Sequence, residues 1–86
     1  MIAFVSMAKI YSRELRDVSD ELDKALRKHP KFNGAHEGWA VIREEVDELW
    51  DEVKVRPAKR RRDKMRKEAI QVAAMALRFA LEVCGK

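Results

Sequence analysis

The residues of this chain with the clearest chemical potential are the acids of segment 44–48, which reads Glu-Glu-Val-Asp-Glu. At about 100° per residue of a helix, Glu45 and Glu48 lie about 60° apart on one flank, with Glu44 farther round. Carboxylates this close repel one another unless cations neutralise them, and carboxylate oxygens are the preferred ligands of hard divalent cations. The segment therefore predicts either a metal site or a solvated acidic helix face, and the spacing leaves both open.

The helix that carries these acids is predicted from apolar spacing over residues 36–55. Steps of three and four residues make one buried stripe, formed by Trp39, Ile42, Val46, Leu49 and Val53. Tryptophans at helical spacing usually belong to a core. Trp39 and Trp50 are therefore both predicted to be core residues.

The composition predicts one helical domain over residues 1–86. The 86 residues are 47% hydrophobic and 40% charged, with three glycines and two prolines, which is typical of helical proteins. The single cysteine, Cys84, excludes an internal disulfide. Residues 2–8 are apolar but too few for a membrane span, and they lack a signal peptide's charged leader. We expect a cytoplasmic protein without a membrane partner.

A long first helix is predicted over residues 2–28, where apolar side chains recur in steps of four and three from Phe4 onward. Pro30 ends it, because proline disfavours helix in the preceding residue. Residues 30–38 form a loop with Asn33 and Gly34 as turn residues. His36 lies in this loop, either as a substrate or phosphate contact or as an ordinary exposed histidine.

The strongest shift in composition is segment 54–67, which contains nine lysines and arginines against one acid, Asp63. Its net charge of +8 exceeds the +4 of the whole chain, so the positive charge is local. The segment is a solvated loop, a nucleic-acid contact or an arm that holds a ligand's phosphates. It contains no aromatic residue to stack on bases, so nucleic acid is the partner least expected.

The third helix is predicted over residues 60–84, with apolar residues on two sides. One side is expected to face the first two helices and the other a second protomer. The predicted fold is therefore an all-α antiparallel bundle of three helices per chain, completed by self-association. Glu68 lies in line with Val72, Met75 and Phe79, and an acid on an apolar stripe requires a cation or another partner.

The acids of segment 44–48, followed by Glu68, Ala69, Ile70 and Gln71 on the third helix, resemble a known family signature. It belongs to the MazG-like all-α nucleoside triphosphate pyrophosphohydrolases, with Glu-Glu-x-x-Glu on one helix and Glu-x-x-Asp on the next. The resemblance implies Mg²⁺, with Mn²⁺ as an alternative, and hydrolysis of a ribo- or deoxyribonucleoside triphosphate to the monophosphate and pyrophosphate. It also implies a homodimer or homotetramer. The metal ligands by position are Glu45, Glu48, Glu68 and Gln71, and the catalytic residues are Glu44 and Glu45.

Two departures from the family pattern affect the predicted site. Gln71 stands in the place of the family's aspartate and offers a carbonyl oxygen without charge. The family's fourth helix, which contributes phosphate contacts, has no counterpart, so Arg78, Lys64 and His36 are the predicted substrate contacts. Two alternatives remain: a degenerate family member that binds nucleotide without cleaving it, and a non-enzymatic helical module that binds nucleic acid or an acidic partner through segment 54–67.

Overall fold

The computed structural model describes Lys9 and residues 11–85, and this part of the chain is helical without strands. Its helices are α1 (Ser12–Lys28), α2 (Ala35–Val53) and α3 (Arg62–Glu82), with a short 3₁₀ turn at Pro57–Lys59. The predicted all-α fold with three helices is confirmed. Lys9 and Tyr11 have 3₁₀ conformation, and α1 begins at Ser12. The first helix was predicted from residue 2, and residues 2–8 and 10 lie outside the described residues. The other helix ends lie within two residues of the predicted limits.

Helix α3 is the centre of the fold, with α1 and α2 both packed against it. Within the described ranges, no Cα atom of α1 comes within 8 Å of one in α2. The radius of gyration is 15.2 Å, against about 12 Å for a compact chain of this length. Met75 of α3 packs on α1, and Phe79 of the same stripe lies against α2, so one stripe of α3 contacts both other helices, as expected. Leu77 and Leu81 of the other stripe are exposed. The bundle is therefore open, with a groove between α1 and α2.

The core is small and centred on α3. Ala74 is fully buried, and Met75 packs with Val18 and Ala25 of α1. Arg66 of α3 donates to Asp17 at 2.6 Å and to Glu14 at 3.1 Å, and its guanidinium lowers the pKa of both carboxyl groups. Side-chain packing and this ion-pair cluster together hold α1 on α3.

The start of α2 depends on two glycines. Gly34 has φ +156° and ψ −174°, a conformation that side chains disfavour. The carboxylate of Glu37 accepts hydrogen bonds from the backbone N–H and side-chain amide of Asn33, both at 3.0 Å. At Gly38, a Cβ atom would lie 2.6 Å from the Phe79 ring. The missing side chain therefore allows α2 to cross α3 closely.

Large apolar side chains remain exposed on all three helices. Trp39 and Trp50 are 56% and 57% exposed, so their assignment to the core was wrong. With Val46 they share a side of α2 turned roughly 100° from the side that packs on α3. We call this side of α2, formed by Trp39, Val46 and Trp50, the apolar back face; the leucines Leu15, Leu26, Leu77 and Leu81 are exposed as well. None of the described helices combines the length and apolar character needed to cross a membrane.

Candidate metal centre

Three of the predicted ligands meet between α2 and α3. Glu45 and Glu48 are one turn apart on α2, and Glu68 faces them from the second turn of α3. One carboxylate oxygen from each lies within 4.8 Å of the others. The antiparallel packing of the two helices accounts for this convergence, because it brings the middle of α2 to the beginning of α3.

The cluster contains two buried oxygens without partners. Glu45 Oε2 and Glu68 Oε2 are shielded from solvent and accept no hydrogen bond from the described residues. Leaving a buried charged acceptor unsatisfied costs about 1–3 kcal/mol or more. Oxygen-only donors of this kind fit Mg²⁺ or Mn²⁺, and a bound cation would satisfy both atoms. The residues present therefore fit the metal that the sequence predicted.

Burial and mutual repulsion make these carboxyl groups weak acids. Burial raises the pKa of Glu45 to about 7, with further contributions from the charge of Glu48, a hydrogen bond to Glu48 and the charge of Glu68. Burial and the charge of Glu48 also raise the pKa of Glu68, and the neighbouring Lys67 opposes that rise. Near neutral pH a proton therefore competes with any cation for this cluster.

This pKa predicts how stability depends on pH in the absence of divalent cations. The folded protein holds the Glu45 proton up to about pH 7, whereas the unfolded chain releases it near 4.5. The free energy of unfolding therefore falls as pH rises between these values, by about 1–2 kcal/mol after allowance for partial solvent exposure. The fall should be visible in urea titrations with EDTA at pH 5.0, 6.0, 7.0 and 8.0.

The matched variant for this measurement is Glu45→Gln, which removes the ionisable proton with little change of shape. Its stability should be flatter across the same pH range and should exceed that of the wild type at pH 8. Glu14 and Asp17, whose pKa values are lowered, are already ionised throughout this range and do not produce the effect. If the free energy of unfolding depended on pH equally in the two proteins, the pH dependence could not be assigned to Glu45.

The other predicted residues lie at different distances from the cluster. Glu44 is exposed on α2, close enough for its charge to contribute to the raised pKa of Glu45. Gln71 lines the same cavity as Glu45. Lys64 and His36 are exposed near the starts of α3 and α2, and neither lines a cavity described below.

Arg78 lies at the edge of the groove but its guanidinium is already engaged. The side chain is 5% exposed and pairs with Glu82, which is 3% exposed, at 3.1 Å. It also donates to the carbonyl oxygen of Pro30 at 2.7 Å and lies 3.9 Å from the centroid of the Phe32 ring. Glu82 in turn accepts from the backbone N–H of Phe32 at 2.8 Å. These contacts give Arg78 a structural role, fastening the loop between α1 and α2 to α3.

The groove between α1 and α2 is a cavity of about 560 Å³. Helix α3 forms its floor and α1 and α2 its walls, while the connecting loop closes one end. Its lining residues are Glu21, Lys24, Ala25, Lys28, His29, Pro30, Phe32, Glu37, Val41, Glu45, Lys67, Gln71, Met75 and Arg78. The carboxylate cluster therefore opens, through Glu45, into a space of the size that small-molecule ligands occupy.

Three lysines line this groove, of which only Lys67 was a sequence candidate, as part of the basic segment 54–67. Lys24 and Lys28 project from α1, and Lys67 projects from α3. Lys24 and Lys28 are four residues apart on the polar side of a helix, and this spacing could have identified them as a pair. It does not by itself predict a ligand contact, because only the structure places that side of α1 opposite Glu45.

The basic segment 54–67 makes several contacts within the chain. Arg60 donates to the carbonyl oxygens of Val53 and Val55 at the end of α2, both at 3.0 Å. Arg61 pairs with Glu52 at 3.2 Å. Part of the positive charge therefore holds the connection between α2 and α3 in place, which reduces the charge left for an external partner.

Comparisons of the chain with protein-family models, with curated proteins and with solved structures give no match.

Proposed function

We propose that this protein is a divalent-metal-dependent nucleoside triphosphate pyrophosphohydrolase of the MazG-like kind. The observation that carries the proposal is the convergence of Glu45, Glu48 and Glu68 with two buried, unpartnered oxygens. A structural acid would be expected to find a hydrogen-bond donor within the fold. Buried carboxylate oxygens without partners, beside an open groove, are instead typical of a site that binds a cation and a ligand together.

In this proposal Glu45, Glu48 and Glu68 would hold Mg²⁺, which when bound would neutralise phosphate charge and activate a water. Because Glu45 must be ionised to serve as a ligand, affinity for the cation would rise with pH towards and above 7. Glu44, exposed beside the cluster, serves either as a further ligand or as the acceptor that orients the attacking water. The products are a nucleoside monophosphate and pyrophosphate.

Gln71 lowers the negative charge of the proposed site by one relative to the family pattern. Its side chain lines the groove beside Glu45 and offers a neutral carbonyl oxygen. With three carboxylates instead of four, the site favours a single ion, because each additional divalent cation requires further negative charge. Converting Gln71 to aspartate is therefore expected to increase affinity for the cation.

The experiment that tests the function is release of pyrophosphate from a panel of ribo- and deoxyribonucleoside triphosphates, with and without Mg²⁺. The assay should be run near pH 8, where Glu45 is ionised without assistance. Release that requires Mg²⁺ and yields the monophosphate supports the proposal. Absence of release from the whole panel, in a protein that is folded by circular dichroism, would refute it.

We also propose that the protein self-associates through the apolar back face. Trp39, Val46 and Trp50 lie on the side of α2 opposite the groove, and leucines of α1 and α3 are exposed as well. Exposed apolar residues on every element of a small domain are typical of an interface. A second copy is a fitting occupant because it presents the same apolar surface in a two-fold arrangement.

Trp50→Glu should shift the protein to a smaller species in sedimentation or light scattering. The substitution places a charge where the partner's apolar surface would lie, and desolvating that charge opposes association. Ala40→Glu is the matched control, because it adds the same charge at an exposed position on the same helix outside the back face. Equal masses for the wild type and Trp50→Glu would contradict this interface.

A further inference from the structure

The groove beside the metal centre is lined by charged side chains together with apolar ones such as Val41. The charges of Arg78 and Glu37 are already satisfied within the fold, by Glu82 and by Asn33 respectively. The lysines are thus the cations available to a ligand.

Lys24 and Lys67 occupy a special position among these lysines. Both line the groove and also a second cavity of about 270 Å³ between α1 and α3. They therefore lie where the two cavities adjoin, one on each helix. Lys67 is also close enough to the carboxylate cluster for its charge to lower the pKa of Glu68.

Neither lysine is strongly held by the fold. Among the described residues Lys24 pairs with Glu21 alone, at 3.4 Å, and its side chain is 61% exposed. An exposed pair of this kind adds little stability, so an incoming anion can replace it readily. Lys67 makes no ion pair with the described residues. Both ammonium groups are thus available to phosphate oxygens.

We infer that Lys24 and Lys67 form the polyphosphate-binding subsite of this protein. The inference rests on the proposed function and assigns its substrate contacts to α1 and α3. Phosphates seated between the lysines would lie beside Glu45, where the cation is needed to neutralise them. This arrangement replaces the contacts that the sequence assigned to Arg78, Lys64 and His36.

The test is calorimetric binding of two probes, an α,β-methylene nucleoside triphosphate and inorganic tripolyphosphate, in the presence of Mg²⁺. Lys24→Gln should weaken binding of both probes about tenfold, as expected for one lost contact to a charged group, and Lys24→Glu should weaken it further. Lys59→Gln, which removes the same charge from a turn outside both cavities, should bind as the wild type does. Affinity for Mn²⁺ alone should not fall in Lys24→Gln, because Lys24 is not part of the carboxylate cluster.

The outcomes separate this inference from the proposed function. Unchanged binding in both Lys24 variants, or no binding of either probe by the wild type, would overturn the subsite. If the wild type released pyrophosphate while the Lys24 variants kept the same KM, the function would stand and the subsite would be wrong. If the probes bound through Lys24 and no nucleotide were cleaved, the subsite would stand and the protein would be a nucleotide binder.

Discussion

Glu68→Gln is expected to reduce Mg²⁺-dependent release of pyrophosphate by about a thousandfold or more while leaving the helices folded. The substitution keeps the shape of the side chain and removes one of the three converging charges. The neutral amide is a poor substitute because its nitrogen cannot bind a cation. Glu45→Gln should have a comparable effect for the same reason.

The stability of these variants distinguishes loss of a ligand from loss of the fold. Glu68 and Glu45 repel Glu48 and one another in the absence of a cation, which contributes to their raised pKa values. Each Gln variant should therefore be at least as stable as the wild type in EDTA at pH 8, and should lose most of the stabilisation that Mn²⁺ gives the wild type.

Asp47→Asn is the matched control for the carboxylate variants. It removes one acid from α2 at an exposed position that pairs with Arg43 at 3.3 Å. Because Asp47 lies outside the cluster, the turnover of this variant and its stabilisation by Mn²⁺ should equal those of the wild type. Full Mg²⁺-dependent turnover in both Glu45→Gln and Glu68→Gln would show that the reaction takes place elsewhere.

The elements of the fold were predictable from the sequence because they depend on local rules. Apolar spacing located the three helices, and Pro30 and Gly34 located the loop between α1 and α2. The arrangement of the helices was not predictable in the same way. Both stripes of α3 were read correctly as apolar, but periodicity carries no information on how the neighbouring helices lie against α3 or on how much of each stripe they cover.

The same limit explains why Trp39 and Trp50 were misplaced. Helical spacing assigns a residue to a side of its helix, and a helix beside one neighbour has sides that nothing within the chain covers. A tryptophan at such a position is as compatible with an interface as with a core. Only the structure distinguishes a core position from an interface position here, because it shows that α2 packs on α3 alone among the described helices and leaves both tryptophans exposed.

The candidate site divides in the same way. The spacing of Glu45 and Glu48 and the acid Glu68 on an apolar stripe were visible in the sequence, and the family resemblance grouped the three as ligands. Lys24 was not predicted, and Lys67 was predicted only as part of the basic segment 54–67, because their relation to the cluster depends on the packing of α1 against α3. Arg78 was assigned to the substrate as a substitute for the family's fourth helix. The structure instead pairs Arg78 with Glu82, four residues along the same helix.

Arg78→Met is expected to lower the free energy of unfolding by about 3–5 kcal/mol, because it leaves the buried carboxylate of Glu82 without its cation. The carbonyl oxygen of Pro30 would also lose its donor. A loss of this size is a large part of the total stability of a small domain, about 5–15 kcal/mol. Urea titration at pH 8 measures it. Arg62→Met, at an exposed position in the first turn of α3, is the control and should be nearly neutral.

A double-mutant cycle decides whether Arg78 acts through Glu82 or through a substrate. If the pair is structural, Glu82→Leu in the Arg78→Met background should recover part of the lost stability, because no charge then remains buried. The backbone N–H of Phe32 loses its acceptor in that variant, so recovery should be incomplete. A role in phosphate binding gives the opposite result: Arg78→Met would leave stability unchanged and raise the KM for nucleotide. That result would support Arg78 as a substrate contact and would contradict the structural role of its pair with Glu82.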